Sequence, residues 1–542
     1  MSNMVEDKGK NFIKGAVILS AAGLISKVMG FVYRVILTRI IGAEGMGLYQ
    51  MAYPIYTTLL VVSRSGIPVS LAKLISGKIA RGQKNDALKT FKVGRSLSIL
   101  IGLFFSILMM VLARPLVNIL EWDSRAYYAV LAISPAIFFV SIMATYRGFF
   151  QGLQNMKPTA YSQVIEQWVR MVTMISLVYF LVPYGLGIAA AGATSGAVTG
   201  SMAGLLTLIY IYYKKKKEIW NGISIKTTYA DAVRITGEIA RLGIPITFAA
   251  LVQPLMTLVD TVIVPQRLQV AGYAVEKATE LFGQLSGVAM VLVNFPTIIT
   301  ISLAASLVPS ISEAYALKRH DLIDRRTRTA LRLTVLIGLP AAVGLFILAR
   351  PLTGVIFGEA DAAIPLRIVG WGVIFIAIQQ TTSAILQGLG QTAIPARNLL
   401  TGAVVNALIN YSLTASPRFG IKGAALGTVT GFAVAALLNL ISVKKFTGFK
   451  IKIKELIFKP VLAVFLMAVA VNRGFVILLN LLEGITDYNY HIATFFIVFF
   501  AVIIYLFFLL LFNEIRYSDV AMIPGYGKKI ADKLKKIGLL GD

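Results

Sequence analysis

The sequence predicts an all-α protein that crosses a membrane about fourteen times, built as two parallel six-helix repeats with two further C-terminal helices. Three observations carry this prediction. Of 542 residues 57% are hydrophobic and only 14% charged, against roughly 25% charged in an average soluble domain, and mean hydropathy is +0.77. Apolar runs of about 20 residues, each enough to cross a hydrocarbon core of roughly 30 Å, alternate with short clusters of turn and charged residues. Finally, a set of short motifs recurs in order at a nearly fixed shift.

In chain order the spans fall near residues 14–42, 47–76, 95–118, 127–152, 158–183, 186–213, 236–265, 282–313, 329–357, 363–389, 394–416, 421–443, 456–481 and 491–513. The basic stretch before the first is followed by an apolar run too long for a signal-peptide core, so it is expected to stay as the first span. Cationic clusters fall at alternate ends of the spans: Lys8, Lys10 and Lys14; Lys73 through Arg95; Lys214 to Lys217; Lys318 through Arg328; Lys444 through Lys459; and Lys528 through Lys536. The intervening loops are short and poor in Lys and Arg, so the positive-inside rule places the clusters and both termini in the cytoplasm. A net charge of +27 therefore reads as topology rather than nucleic-acid binding.

The repeat fixes the domain plan. Leu100-Ile101-Gly102-Leu103 recurs as Leu336-Ile337-Gly338-Leu339, Ala113-Arg114-Pro115-Leu116 as Ala349-Arg350-Pro351-Leu352, and Gln151-Gly152-Leu153 as Gln387-Gly388-Leu389, each 236 positions on. Val198-Thr199-Gly200 matches Val429-Thr430-Gly431 at a shift of 231, as a short loop deletion would produce. An even number of spans per repeat gives both halves one orientation, the parallel-repeat transporter plan, with a substrate site expected between halves that rock. The expected boundaries are 1–213 for the first repeat, 214–235 for a cytoplasmic linker, 236–443 for the second repeat, 456–513 for the added pair and 514–542 for a basic tail. In that tail Ile530, Leu534 and Ile537 share a face among lysines, an amphipathic pattern drawn to anionic lipid at about 1 kcal/mol per basic residue.

Charges at membrane depth cost about 2.5–3.5 kcal/mol each on insertion scales and persist where they meet a watery cavity, a partner or a ligand. The first span carries Lys27, Arg34 and Arg39. Lys27 and Arg34, seven residues apart, lie on nearly one helix face; Arg39 lies off it, nearer the end, and is expected to snorkel. Arg64 falls near mid-depth in the second span, just before Gly66-Ile67-Pro68, which loosens the helix. Lys27, Arg34 and Arg64 are the candidate substrate-binding residues. Glu166 and Arg170, four apart with the acid first, form a helix pair read as scaffold or coupling site. Asp260 either counters Arg34 or binds a coupling ion. Arg147 and Gln151, at the cytoplasmic end of the fourth span, are candidates for an access gate or an interfacial anchor.

No Cys is present, and His320 and His491 stand far apart, so no thiolate site or metal motif is expected, and no cofactor. Gly525 to Ile530 lacks the first glycine and the Ser or Thr of a phosphate loop. No nucleophile, base and orienter constellation supports an enzyme.

Ser26-Lys27-Val28-Met29-Gly30-Phe31, Arg39 through Tyr49 and Gly66-Ile67-Pro68 with Lys73 resemble the opening of polysaccharide transporters in the multidrug/oligosaccharidyl-lipid/polysaccharide exporter superfamily. Within it the chain is most similar to the stage V sporulation protein B group, relatives of the lipid II flippases. The resemblance implies turnover of an undecaprenyl-pyrophosphate-linked saccharide from the inner to the outer leaflet of a bacterial plasma membrane, with a cationic cavity receiving the pyrophosphate. Lys27 matches one such position in the S-[KR]-x-x-G-F pattern. Arg64 stands about one turn from the corresponding second-helix position, and a cavity arginine in the second half is not evident. The expected cargo is a peptidoglycan precursor such as lipid II; cell-wall synthesis enzymes are further candidate partners. The rival readings are a cation-coupled multidrug exporter of the same fold, which needs carboxylates for cationic drugs, and a non-transporting scaffold for cell-wall synthesis.

Overall fold

Every backbone N–H and C=O in a hydrocarbon core has to find its partner within the protein, and a helix provides these within its own segment; helices take up nearly all of the described residues. The computed structural model describes residues 2–64, 66–220, 227–448, 453–483, 488–515 and 527–536, and among these no strand occurs. Nine helices are long and apolar enough to cross a membrane on their own, and two bent helix pairs raise the number to eleven among the described residues. The other expected spans lie in the first helix, a 63-residue element that merges two across a break at Gly42, with the second span continuing into the helix over Gly66–Ala80, and in the helix over Ala393–Leu413. The protein is a multi-pass, all-α membrane protein.

Packing groups the chain into two compact units, Met1–Gly287 with Ala415–Pro417, and Val288–Thr414 with Arg418–Asp542. The division falls inside the eighth expected span, at a π-helical turn over Gln284–Ala289, so the seventh expected span groups with the first six.

The first unit holds α1 (Ser2–Arg64), α2 (Gly66–Ala80), α3 (Lys84–Ile119), α4 (Ala126–Ile133), α5 (Ala136–Gly152), α6 (Lys157–Leu181), α7 (Leu186–Trp220), α8 (Tyr229–Val270) and α9 (Val275–Gly283). Gly42 interrupts α1 with φ 67° and ψ −178°, a backbone that a residue with a Cβ rarely adopts. Tyr33, Leu37 and Ile41 before the break and Met46 and Tyr49 after it then share one core with Met174 and Val178 of α6 and Ala189 and Ala193 of α7. Three prolines, 245, 254 and 265, lie within α8, which bends by 44°. Its start is a capping box in which the Thr228 hydroxyl accepts from Asp231 N and the Asp231 carboxylate accepts from Thr228 N. Lys78 of α2 donates to Glu238 at 2.9 Å, Lys89 of α3 to Asp231 at 2.8 Å, and Gly66 N to Thr247 Oγ1 at 3.1 Å.

The second unit holds α10 (Met290–Ala316), α11 (His320–Ile347), α12 (Ala349–Leu352), α13 (Ala363–Val369), α14 (Gly372–Gly388), α15 (Ala393–Leu413), α16 (Ile421–Thr447), α17 (Ile453–Leu482), α18 (Asn489–Leu511) and α19 (Gly527–Lys536). Leu307, Ile311, Ile323, Ala330, Ile385, Leu386 and Val443 build its core. The added pair, α17 and α18, is fixed to α11: Tyr505 donates to the Leu336 carbonyl at 2.9 Å and Arg332 to the Glu514 carbonyl at 2.7 Å. Its other faces expose Phe465, Phe495, Phe496 and Phe499, as a lipid-facing surface does. In the tail Ile537 lies outside the described residues, as does 221–226 of the linker, and nothing is placed for the Ile530 and Leu534 side chains.

The repeat is visible in side-chain contacts. Ser98 and Thr145 share a hydroxyl hydrogen bond of 2.6 Å in the first unit; Thr334 and Thr381, each 236 positions on, share one of 2.7 Å in the second. Gly152 crowds Ile75 in one unit and Gly388 crowds Ile311 in the other, at the same shift.

Candidate functional site

The buried charge of the first unit gathers where α1, α5 and α6 meet. Arg34 projects from the first segment of α1, and its guanidinium carbon lies 5.9 Å from the centre of the Tyr53 ring, within cation–π range. Tyr49, Tyr53 and Tyr56 follow one another at helical spacing on the second segment; the first two rings stack at 5.4 Å and the next two meet at 5.7 Å. Tyr33, Tyr49 and Tyr56 are all buried. Arg64 is the last residue of α1, half-buried, and within electrostatic reach of Tyr53, Tyr56, Arg147 and Glu166.

Glu166 lies at the centre. Its Oε1 accepts from Arg170 Nη2 at 2.7 Å and its Oε2 from Arg147 Nη2 at 2.9 Å, and Arg147 also donates to Ser162 Oγ at 2.9 Å. Ser162, Glu166 and Arg170 stand on one face of α6. That face closes on α7 because Gly200 lies opposite: a Cβ there would come 2.7 Å from the Glu166 carbonyl oxygen and 2.8 Å from Arg170 Cβ. Glu166 and Arg170 are each 7% exposed. The Nε atoms of Arg34, Arg64, Arg147 and Arg170 are buried and have no hydrogen-bond partner among the described residues. Glu166 is bonded to two of the four guanidiniums, so these five side chains together carry three formal positive charges; Glu166 and Arg170 are buried, and Arg34, Arg64 and Arg147 are half-buried with their Nε atoms closed to water.

The predicted residues distribute unevenly over this arrangement. Arg34 and Arg64 belong to it. Lys27 shares a face with Arg34 but is exposed, beside exposed Leu24, Ile25 and Val28, two turns from the cluster. The Glu166–Arg170 pair forms as its spacing predicts, but Arg147 divides the carboxylate with Arg170, so the pair is not self-neutralising. Arg147, read as gate or interfacial anchor, thus points its charge into the cluster. Gln151, one turn further along α5, is half-buried, as is Asp260 on α8, and Arg39 is exposed. The tyrosines and Ser162 escaped sequence reasoning, although the spacing of Tyr49, Tyr53 and Tyr56 marked a common face.

Fold and charge together define a multi-pass all-α membrane protein with a cationic cluster among the helices of its first unit. Residues 12–315 match the family described as polysaccharide biosynthesis protein, and residues 284–412 match the MatE family. The chain is 34% identical over 446 residues to stage V sporulation protein B of Bacillus subtilis, covering 82% of this chain and 86% of the relative. It is 26% identical over 477 residues to the lipid II flippase MurJ of the same organism, covering 84% and 86%. Among solved structures, lipid II flippase MurJ in an inward closed conformation shares the fold at a TM-score of 0.69 and 17% identity, over 92% of this chain and 99% of that one. The chain belongs to the polysaccharide biosynthesis protein family, in its stage V sporulation protein B-like group.

Proposed function

We propose that this protein turns a lipid-linked anionic saccharide over from the inner to the outer leaflet by alternating access. The observation that carries the reading is the surplus of positive charge among Arg34, Arg64, Arg147 and Arg170, one buried and three half-buried arginines around a single carboxylate. Uncompensated charge at membrane depth is costly and suits an anionic headgroup, since planar guanidiniums bind phosphoryl oxygens in bidentate fashion. The relative named as a lipid II flippase supports an undecaprenyl-pyrophosphate-linked peptidoglycan precursor as the cargo. On this reading the protein works in a bacterial plasma membrane with both termini inside, repeats over 1–213 and 236–443, Lys27 as a first point of capture, and the basic tail resting on anionic lipid. The MatE match favours a cation-coupled multidrug exporter; the sign of the buried charge argues against it, because a cationic drug would meet repulsion.

Mass spectrometry of lipids that co-purify with the protein tests the proposal. A polyprenyl pyrophosphate saccharide bound to the wild type and depleted in Arg64→Ala is the expected result. Recovery of cationic amphiphiles in its place would favour the drug exporter.

A further inference from the structure

The repeat separates what the fold needs from what the cluster adds. At the spacing of 236, Arg147 corresponds to Ser383, Glu166 to Gly402 and Arg170 to Asn406. The second unit closes the equivalent helices without any of these charges: Gly402 packs on Gly431, Asn398 donates to Asn439 at 2.9 Å, and Asn439 to Ser383 Oγ at 3.0 Å. Neutral amides therefore suffice for the packing. The ionic arrangement of the first unit is an addition, and burying it has a desolvation cost that a neutral pair avoids.

Its donors and acceptors are mismatched. Each guanidinium has about five N–H donors, and a carboxylate offers about four lone-pair sites. Among the described residues Glu166 uses both oxygens to hold Arg147 and Arg170, and the Nε atoms of all four arginines stay unpaired. A phosphoryl group has three acceptor oxygens and more charge. A pyrophosphate carrying about two negative charges would lower the cluster's three positive charges to about one.

We propose that Glu166 is a resident stand-in for the cargo's phosphoryl group: it keeps Arg147 and Arg170 positioned while the site is empty and yields them to phosphoryl oxygens when cargo binds. This deepens the flippase reading and rests on it for the lipid part of the ligand. Glu166 is then a positioning residue that also limits affinity from above, because each phosphoryl contact has to displace a carboxylate contact. It prevents the empty arginines from repelling one another, and it keeps the cargo from binding too tightly to be released.

The test uses the full chain in nanodiscs, titrated separately with inorganic pyrophosphate and with a sugar-free polyprenyl pyrophosphate. Glu166→Gln keeps the shape and removes the competitor, so affinity should rise about tenfold, the scale of one hydrogen bond to a charged group. In the wild type, addition of ligand should also shift the carboxylate stretching bands of one glutamate, a shift missing from Glu166→Gln. Strengthening with both ligands supports the exchange and the flippase reading. Strengthening with inorganic pyrophosphate alone supports the exchange but removes the lipid cargo. Binding of the polyprenyl ligand with unchanged or weaker affinity in Glu166→Gln overturns the exchange and leaves the flippase reading intact; binding of neither ligand to any form overturns both. If Glu166→Gln does not run as a single folded species, Glu166→Asp, whose carboxylate is drawn back by one methylene, is measured instead. About threefold strengthening is then expected, and none would overturn the exchange.

Discussion

Arg64 ends a helix and carries a charge that Arg147 repels and Glu166 attracts, and these two roles respond differently to substitution. Lysine keeps the charge but loses the planar fork, so Arg64→Lys should retain part of the transport activity, whereas Arg64→Ala should remove most of it while inserting normally. A flipping assay normalised to monodisperse protein separates the two; equal loss of folded protein in both variants would make Arg64 structural. Lys27 makes a contrasting case. It is exposed, so Lys27→Gln should weaken uptake of a lipid pyrophosphate only a few-fold, within the usual range for a surface charge. The chain has no native cysteine, so Lys27→Cys should be labelled by polar thiol reagents without a cysteine-free background having to be built first.

Two junctions between elements make separate predictions. The α6–α7 contact depends on the missing Cβ of Gly200, since the obstacle, 2.7 Å away, is the Glu166 carbonyl and not a mobile side-chain end. Gly200→Val should cost about 1–3 kcal/mol, read as a lowered unfolding temperature in detergent, and should weaken pyrophosphate binding by moving Arg170. The start of α8 is held by Asp231, whose carboxyl is brought down to about 2 by hydrogen bonds from Lys89 and Thr228, below its ordinary 3.8. A carboxylate with a depressed folded-state pKa adds stability that is complete above the ordinary value and is lost as pH falls through the depressed one. The junction should therefore be indifferent to pH around neutrality. Asp231→Asn should speed amide exchange in the first turns of α8 at neutral pH; exchange unchanged by the substitution would show that the ion pair and capping box do not hold that end.

For the whole molecule the surplus of positive charge in the cluster bears on what drives turnover. Moving one charge through the membrane potential is worth about 2.3 kcal/mol per 100 mV, so a cargo with two negative charges leaving an inside-negative cell gains roughly 4–5 kcal/mol. An unloaded cationic site returning inward would be favoured by the same field. Proteoliposomes held at zero potential with valinomycin and matched potassium should therefore flip slowly even with an ion gradient imposed. Undiminished flipping there, with loss when only the ion gradient is collapsed, would make Asp260 or Glu166 a coupling site.

By itself the sequence determined the properties that follow from composition and period: a helical membrane protein, the approximate positions of its spans, and a repeat whose shift of 236 reappears in the Ser98–Thr145 and Thr334–Thr381 hydrogen bonds. These were legible because apolarity over about 20 residues and recurrence at a fixed distance are local or one-dimensional signals. The Glu166–Arg170 pair was legible for the same reason, as a neighbour relation within one helix. Only the tertiary structure decided which cations share a space. Arg147 reaches Glu166 from another helix; Lys27 and Arg34 share a face, yet only Arg34 meets Tyr53, because Gly42 breaks α1 and the segment after it packs with the segment before it. Contacts between helices depend on crossing and depth, here set by close approaches such as that at Gly200, and the spacing along one helix carries no record of what another helix brings to it.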